Sequence, residues 1–253
     1  GCGFIGSSLI SHLRERSLAG AIRVYDNLSN GTLDDLQAVA PDGRIVKGTS
    51  PMASRGQDVE LVQGDILDRD LLAQASKGAR IMVHLAANTG VQPSIADPMA
   101  DMQANVMGTV NALEACRANG IKHFVFASSG APIGLAEPPL NEQAVCRPIS
   151  PYGASKLAGE AYCHAYFASF GINTVALRFS NVYGPLSGKK GSVVAKFLTR
   201  AFGGQPLVIN GDGGQTRDFI YSEDLVRAVT AAAGLDKGGE LFQIATARET
   251  SIK

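Results

Sequence analysis

The sequence has no excess of charge of one sign and no long hydrophobic run, and each absence excludes a class of protein. Lys and Arg together number 23, and Asp and Glu also number 23. This balance gives no electrostatic reason to expect nucleic acid or an anionic membrane surface as a partner. No apolar run approaches the roughly 18 residues of a membrane-spanning helix, so a membrane protein is not expected either.

Cysteine is also scarce. The four cysteines, Cys2, Cys116, Cys146 and Cys163, are widely spaced and include no CxxC pair. Such spacing does not suit a zinc site or a disulfide framework, so we expect no metal, and reduced thiols in a cytoplasmic protein. Hydrophobic residues make up 45% of the 253 residues, which is ordinary for a globular chain with a sizeable core.

Runs typical of β-strands alternate with runs typical of α-helices along most of the chain. Several candidate strands are almost continuously apolar and β-branched, as are strands covered on both faces of a sheet. The alternation predicts an α/β fold with a doubly wound, parallel, Rossmann-like sheet. The predicted strands span 21–26, 59–65, 80–87, 123–129, 174–182, 207–210 and 241–245, and the predicted helices span 6–19, 68–76, 101–119, 152–170, 190–203 and 222–234.

The opening segment, GCGFIGSSLI, is typical of the second half of a glycine-rich nucleotide-binding loop. Glycines let backbone N–H groups approach a pyrophosphate, and the helix that follows adds partial positive charge. Asp26 ends a predicted strand about 20 residues after Gly6, where an acidic side chain can accept from the ribose hydroxyls of an adenosine. Asn27 follows, with no arginine to meet a 2′-phosphate, so we expect NAD and not NADP.

The organisation of the chain changes after residue 184, where short predicted strands mix with helices. We therefore expect an NAD-binding domain over 1–184 and a smaller substrate-binding region over 185–253, interleaved with the last strands. The stretch 41–58 is predicted to be a surface loop, and 130–150 is a second loop. Because a nucleotide loop of this kind normally follows a buried strand, we expect the first strand to lie before residue 1.

The segment SPYGASKLAGE holds a tyrosine and a lysine four residues apart, so Tyr152 and Lys156 share one face of a predicted helix. A lysine beside a tyrosine favours the phenolate and lowers the pKa of the phenol, which makes the tyrosine a usable general base. Ser129 ends the preceding predicted strand, at the sheet edge where doubly wound proteins bind ligands. A serine hydroxyl there can share a substrate proton with the tyrosine.

With these motifs in order, the sequence resembles the extended short-chain dehydrogenases/reductases, specifically the nucleotide-sugar epimerase/dehydratase group. The matching segments are GCGFIGSSLI, VYDNLSNG, GDILD, HLAAN, SIADP, NVMGTVNALEA, FVFASS, SPYGASKLAGEAY, LRFSNVYGP and GDGGQTRDFIYSEDL. The resemblance implies a catalytic set of Ser129, Tyr152 and Lys156. It also implies that Asn181 and Arg217 hold the diphosphate of a nucleotide sugar and that Ser129 binds the substrate.

The resemblance further implies an NAD site with distinct parts. In it, Asp65 and Ile66 flank the adenine, residues 85–87 line the cleft, and Asn105 supports a water network. The implied cofactor-binding residues are Gly3, Phe4, Ile5, Gly6, Asp26, Asn27, Asp65, Ile66, Leu85, Ala86, Ala87, Asn105, Tyr152 and Lys156.

Some of these residues also have plainer interpretations. Asp65 could cap the helix that starts near Asp68, and Asn105 could be a surface residue of its helix. Arg217 could be an exposed cation in a loop. His84 lies within an apolar strand, where we expect a packed core histidine and not a ligand.

The two residues after Ser129 bear on which reaction of the group is expected. The resemblance implies that a tyrosine removes the sugar 4-hydroxyl proton while a hydride passes from C4 to NAD. A 4,6-dehydratase of this family adds an Asp-Glu pair directly after its serine or threonine, whereas this chain has Gly130 and Ala131. The sequence therefore favours an epimerase of the UDP-glucose 4-epimerase type, acting on a UDP-sugar. A 4,6-dehydratase, a UDP-glucuronate decarboxylase and a non-catalytic NAD-binding regulator remain alternatives.

The sequence departs from the family pattern at two places, and it also offers apolar helix faces that suit a subunit interface. Ile133 replaces a frequent tyrosine and follows Pro132, which predicts an altered substrate loop. The chain ends at TSIK, where relatives continue for several dozen residues, so a fragment is expected. Apolar faces on the helices 101–119 and 152–170 suit a four-helix homodimer interface, as in the family, or burial in the core.

Overall fold

The computed structural model describes residues 1–48, 58–189, 191–209 and 211–253. Half of the predicted loop 41–58, residues 49–57, therefore lies outside the described residues, as do the first residue of the predicted helix 190–203 and the last of the predicted strand 207–210. The strands are β1 (Ala21–Asp26), β2 (Arg44–Ile45), β3 (Asp58–Gln63), β4 (Ile81–His84), β5 (His123–Ser129), β6 (Asn173–Phe179), β7 (Asn181–Tyr183), β8 (Thr216–Arg217), β9 (Phe219–Tyr221), β10 (Glu240–Ile244) and β11 (Thr250–Ser251).

Helices connect and cover these strands. A π-helical turn, Gln103–Met107, joins two of them, and a 3₁₀ turn, Ala131–Ile133, follows β5. The α-helices are α1 (Phe4–Glu15), α2 (Leu33–Gln37), α3 (Arg69–Ala75), α4 (Val91–Ala96), α5 (Pro98–Met102), α6 (Gly108–Asn119), α7 (Pro151–Phe170), α8 (Val193–Phe202) and α9 (Ser222–Ala233).

The larger strands form two parallel sheets, which confirms the predicted α/β class. One sheet has the order β1-β3-β2 and the other β10-β6-β5-β4. Ala21 lies opposite Asp58 in the first, and His123 lies opposite Asn173 in the second. Two small pairs complete the strands, with β7 parallel to β9 and β8 antiparallel to β11.

Helices pack on both faces of the second sheet. On one face, Phe124 and Phe126 of β5 join a buried cluster with Leu113 of α6. On the other face, Val125 of the same strand joins a cluster with Val226 of α9. Each such side chain contributes about 1.5–3 kcal/mol when it is fully buried. This two-sided burial explains why β5 is apolar at successive positions, and it confirms the doubly wound arrangement.

Sequence signals at both ends of α7 explain how it is positioned. The Ser150 side chain accepts a hydrogen bond from the Gly153 N–H, and Pro151 occupies the first turn. The helix ends at Gly171, whose φ of 65° is left-handed and suits glycine. A Cβ on Gly159 would lie 2.3 Å from the Phe126 ring, so glycine is required where α7 crosses β5 closely.

Two predicted elements are interrupted in the structure. The predicted helix 101–119 starts earlier, with α5, and contains the π turn Gln103–Met107, which an apolar periodicity of 3.6 does not reveal. The predicted strand 174–182 breaks at Ser180, whose N–H donates to the Ile244 carbonyl at 3.1 Å. Beyond this break, β7 leaves the large sheet and pairs with β9.

The predicted strand 207–210 is wrong over its described residues, 207–209, which have no regular structure. Leu207 and Val208 are exposed, and the Pro206 carbonyl accepts a hydrogen bond from Arg200 Nε at 2.7 Å instead of from another strand. In the loop 130–150, Ile133 is fully buried, and its carbonyl accepts from the Arg147 N–H. The loop therefore folds back on itself at the residue that replaces the frequent tyrosine.

Candidate functional site

A cleft of about 820 Å³ opens where several of these strands end, and we call it the cofactor cleft. Its walls come from the first turn of α1, the ends of β1, β3, β4 and β5, and the start of α7. Every residue predicted from the sequence to bind the cofactor lines it, with the exception of Asn105. The predicted residues that line the cleft are Gly3, Phe4, Ile5, Gly6, Asp26, Asn27, Asp65, Ile66, Leu85, Ala86, Ala87, Ser129, Tyr152 and Lys156.

The N-terminus of α1 faces this cleft. Among the described residues, no side chain caps the helix at Gly3, and its first turn, FIGS, carries no acidic group. A Cβ added to Gly3 would meet no described atom within 4 Å, whereas one on Gly6 would lie 1.9 Å from the Gly1 carbonyl oxygen. The loop is therefore tight at Gly6 and open at Gly3. An uncapped helix N-terminus beside open space fits the diphosphate of a dinucleotide.

Asp26 is held at the end of β1 by backbone groups. Its Oδ2 accepts from the Cys2 N–H at 2.8 Å, and its Oδ1 accepts from the Leu28 N–H at 2.8 Å. These contacts fix the carboxylate at the cleft wall. A carboxylate there suits the ribose hydroxyls of NAD, as the sequence predicts.

Asp65 is tied to the end of β1 and does not cap a helix. Its Oδ2 accepts from Asn27 Nδ2 at 2.9 Å, and its Oδ1 accepts from the Leu67 N–H at 2.9 Å. Asp68 caps α3 instead, through the Leu71 N–H. The helix-cap alternative for Asp65 is therefore wrong, and the bonded pair of Asp65 and Asn27 forms one wall of the cleft.

Ser129, Tyr152 and Lys156 meet at the inner end of the cleft. The Tyr152 hydroxyl is hydrogen-bonded to the Ser129 side chain. Lys156 is only 3% exposed, and its Nζ donates to the Ala127 carbonyl at 2.8 Å. The same Nζ lies 4.9 Å from the centroid of the Phe126 ring and 5.9 Å from that of the Tyr152 ring. The three residues predicted to be catalytic therefore lie close together in the structure.

The pKa values at this cluster differ from the sequence expectation. Burial raises the pKa of Tyr152, the hydrogen bond from Ser129 lowers it in part, and the charge of Asp101 raises it further. Burial lowers the pKa of Lys156 to about 8. Lys156, whose Nζ donates to the Ala127 carbonyl, contributes none of these effects, so the expected lowering of the Tyr152 pKa by lysine is wrong. Burial is the largest of the effects on the Tyr152 pKa, and it disfavours the charged phenolate.

Asn105 lies beneath the cleft, inside the π turn. It is 1% exposed, so the alternative of a surface residue is wrong. Its Oδ1 accepts from the Asn88 N–H at 2.8 Å, and its Nδ2 lies 3.0 Å from Asp101 Oδ1 and 3.1 Å from Ser155 Oγ. Asn88 lines the cleft, so Asn105 connects the cleft wall to α7. No sequence motif assigns a role to Asn88, Asp101 or Ser155, although Asp101 stands four residues before Asn105.

His84 is a core residue, as the sequence predicts. It is 4% exposed, and its ring lies 5.9 Å from that of Phe124 and 6.0 Å from that of Phe126. Nε2 lies 3.1 Å from Thr109 Oγ1. Burial lowers the pKa of His84 to about 3, which keeps the imidazole neutral.

A second cavity of about 290 Å³ adjoins the cleft, and we call it the outer pocket. Val182 lines both cavities, while Asn181 and Arg217 line the outer pocket. Asn181 Nδ2 donates to the Asp218 carbonyl at 3.1 Å, and Arg217 Nη1 donates to the Thr216 carbonyl at 2.6 Å. Arg217 is exposed, as expected for the alternative of an exposed cation, but it also lines the outer pocket. The structure thus places the two predicted diphosphate ligands together.

Two further observations concern the described residues only. They contain no group of three or more His, Cys, Asp or Glu side chains that could hold a metal ion. No helix among them is long and apolar enough to cross a membrane.

Parallel sheets flanked by helices, a glycine loop at a helix N-terminus and a Tyr–Lys pair in the cleft define a dinucleotide-dependent α/β enzyme. The model of the NAD dependent epimerase/dehydratase family matches residues 1–245. The chain belongs to this family, and its cofactor is NAD.

Known relatives include both epimerases and dehydratases. The chain is 36% identical to a putative UDP-glucose 4-epimerase of Methanocaldococcus jannaschii, over 100% of this chain and 77% of the relative. The crystal structure of the UDP-glucose 4-epimerase of Thermotoga maritima with UDP-glucose is 32% identical with a TM-score of 0.86, over 100% of this chain and 77% of that one. The crystal structure of a double mutant of a dTDP-glucose 4,6-dehydratase from Streptomyces venezuelae, with NAD bound, is 28% identical and has the same TM-score of 0.86. The match covers 100% of this chain and 76% of that one. The chain is therefore a nucleotide-sugar epimerase/dehydratase.

Proposed function

We propose that this enzyme interconverts UDP-sugars that differ in configuration at C4, with UDP-glucose and UDP-galactose as its pair. The observation that carries the proposal is the side-chain set around Tyr152. Ser129 and Lys156 accompany it, while the positions that follow Ser129 are Gly130 and Ala131. Neither can transfer a proton, so elimination of water lacks the acid/base pair that it requires.

In the proposed reaction, Tyr152 Oη accepts the proton of the sugar 4-hydroxyl and Ser129 Oγ orients that hydroxyl. NAD, when bound, supplies the hydride acceptor for sugar C4. Lys156, whose Nζ lies 5.9 Å from the centroid of the Tyr152 ring, is proposed to supply positive charge for the phenolate in this step, although burial raises the pKa of Tyr152 in the structure. Tyr152 then returns the proton to the same oxygen after the sugar has turned. The side chains therefore end the cycle in the protonation state in which they began it.

Recognition of the nucleotide sugar is proposed to occur in the outer pocket. The guanidinium of Arg217 is exposed there, and an arginine fork meets phosphate oxygens in a bidentate manner. Asn181 lies in the same cavity and offers an amide. The pocket supports a division into an NAD-binding domain, 1–184, and a substrate-binding region, 185–253, because the later residues supply most of its lining. The pairing of β10 with β6 supports the interleaving of the last strand.

A homodimer is proposed through α5 to α7. Met99 is 61% exposed, Met107 47% and Tyr162 42%, which leaves apolar surface on these helices. Light scattering after gel filtration tests this, with a mass of two chains expected. Tyr162→Glu should then shift the equilibrium toward one chain, and a monomer at all concentrations would refute the proposal.

The reaction is tested by incubating the protein and NAD with UDP-glucose that carries deuterium at C4. We expect UDP-galactose of unchanged mass, with the label retained and no net reduction of NAD, because the hydride returns to the same carbon. Tyr152→Phe serves as the control for contaminating activity. A product lighter by one water would indicate a 4,6-dehydratase, which the similarity to the Streptomyces enzyme favours as the second candidate. Carbon dioxide from UDP-glucuronate would indicate a decarboxylase.

A further inference from the structure

One cysteine contacts a buried arginine behind the catalytic cluster. Arg178, in β6, is 2% exposed, and its Nη2 lies 3.0 Å from Cys146 Sγ. Cys146 stands in the loop before α7 and is partly exposed. Its thiol faces the Ala144 carbonyl at 3.8 Å, a weak contact that leaves the sulfur lone pairs to Arg178. The sulfur is therefore held by a permanent cation.

The other contacts of Arg178 show which edge of its guanidinium faces the sulfur. Nε and Nη2 each donate to a different oxygen of Glu160, both at 2.8 Å. Because the guanidinium is planar, this pair uses its side edge, and the remaining Nη2 hydrogen lies at the end edge, parallel to one Nη1 hydrogen. Cys146 occupies this end edge. Nη1 is buried and has no hydrogen-bond partner among the described residues.

The end edge of Arg178 therefore offers two parallel N–H groups where the sulfur uses one. A buried donor without a partner is costly. An oxygen atom bonded to Cys146 Sγ would lie within reach of the second donor. Two parallel donors match a sulfur–oxygen group, which offers an acceptor on each of its two atoms, better than a single sulfur atom.

The remaining three cysteines have no comparable surroundings. Cys2, Cys116 and Cys163 are buried, each at most 2% exposed. Burial raises the pKa of Cys2 to about 11 and that of Cys116 to about 12, and it also raises the pKa of Cys163. All three are thus disfavoured as thiolate nucleophiles.

We propose that Cys146 is a site of reversible oxidation by hydroperoxides and that Arg178 holds the oxidised sulfur through Nη1 and Nη2. The sulfur attacks one oxygen of hydrogen peroxide, so an S–O bond forms and the O–O bond breaks. Sulfur loses two electrons, the peroxide gains them, and the thiol proton leaves with the released hydroxide as water. The product is a sulfenic acid, which thiols reduce again. Nη1 donates to the transferred oxygen while negative charge develops on it.

The test compares the same cysteine in the folded and the unfolded protein. The protein is exposed to hydrogen peroxide either in buffer or in concentrated urea, the peroxide is removed with catalase, and the chain is then unfolded in dimedone, which traps sulfenic acids. Mass spectrometry of the cysteine peptides gives each rate. We expect Cys146 to react about tenfold faster in the folded protein, the order of one hydrogen bond to a charged group. The other three should react more slowly in the folded protein than in urea.

Cys146→Ala should abolish the rapid labelling, and Cys163→Ala should leave it unchanged. Arg178→Lys keeps the charge but removes the paired N–H groups, so the folded-state rate at Cys146 should fall to that in urea. If that variant does not fold, the comparison of folded and unfolded wild-type protein still decides. A Cys146 that reacts no faster in the folded protein than in urea overturns the proposal.

Discussion

The cofactor cleft and the outer pocket differ in how their polar side chains are held. In and beneath the cleft, Lys156 and Asn105 are 3% and 1% exposed, and both are bonded to fixed partners. In the outer pocket Arg217 is exposed, and its Nη1 donates to the carbonyl of the neighbouring Thr216. Burial therefore preorganises the side chains at the catalytic end of the site, whereas the proposed diphosphate end depends on its ligand for order.

The largest effect is expected at the buried end. Tyr152→Phe removes the proton acceptor and keeps the ring, so turnover should fall by about 10²–10⁴-fold. Binding of the nucleotide sugar, measured by calorimetry, should stay nearly unchanged because the outer pocket is untouched. Tyr162→Phe, an exposed position on the same helix, is the matched control and should retain activity. Weakened sugar binding in Tyr152→Phe would show that the two regions are not separable.

The buried charge of Lys156 should appear in the stability of the protein. Because its folded pKa is lowered to about 8 from 10.5, the cost of burying the charge is fully present below pH 8 and disappears above pH 10.5. Lys156→Met should therefore be inactive yet more stable than wild type at neutral pH. The difference in the free energy of unfolding between this variant and wild type should decrease by about 2 kcal/mol from pH 8 to pH 10.

Urea unfolding of both proteins at several pH values measures this difference. Thiols and tyrosines that titrate in the same range are common to the two chains and cancel. If the difference in the free energy of unfolding between the two proteins did not change with pH, the lowered pKa of the buried Lys156 would be contradicted.

At Asn105, a loss of stability is expected. Asn105→Ala should leave Asn88 and Asp101 without their bonds, which lowers the free energy of unfolding by about 1–3 kcal/mol. Gln103→Ala, an exposed position in the same π turn, should change it by less than about 0.5 kcal/mol. Equal effects would mean that the buried network contributes nothing beyond the helix itself.

The smallest effect on the fold should come from the outer pocket. Arg217→Ala should raise KM for the nucleotide sugar about tenfold, the order of one hydrogen bond to a charged group. Turnover at saturation and the melting temperature should stay unchanged. Arg227→Ala, an exposed arginine on α9, is the control for a general loss of positive charge. A fall in kcat without a change in KM would place Arg217 in the chemistry and not in binding.

Some features of the fold could be read from local patterns. Near-continuous apolar runs such as that of β5 predict strands buried on both faces, and caps such as Ser150 and Gly171 mark the helix that carries Tyr152. The prediction of a strand at 207–210 was wrong over its described residues because an apolar run does not by itself provide a neighbouring strand with which to pair. Its described residues remain outside any sheet, and Val208 lines the outer pocket.

The α/β class and the Tyr–Lys spacing could be read from the sequence because they depend on periodicity and on short-range geometry, whereas most residues of the cleft were expected only through the resemblance to the family. Only the tertiary structure decided the π turn at Asn105, the direction of the Tyr152 pKa shift and the contact of Cys146 with Arg178. Asn105 meets Asn88 and Ser155, Tyr152 meets Ser129, and Cys146 meets Arg178, and each of these partners is distant in the chain. The charge state of a side chain depends on its burial and on the groups that it contacts. Neither can be predicted from the spacing of residues that are neighbours in the sequence.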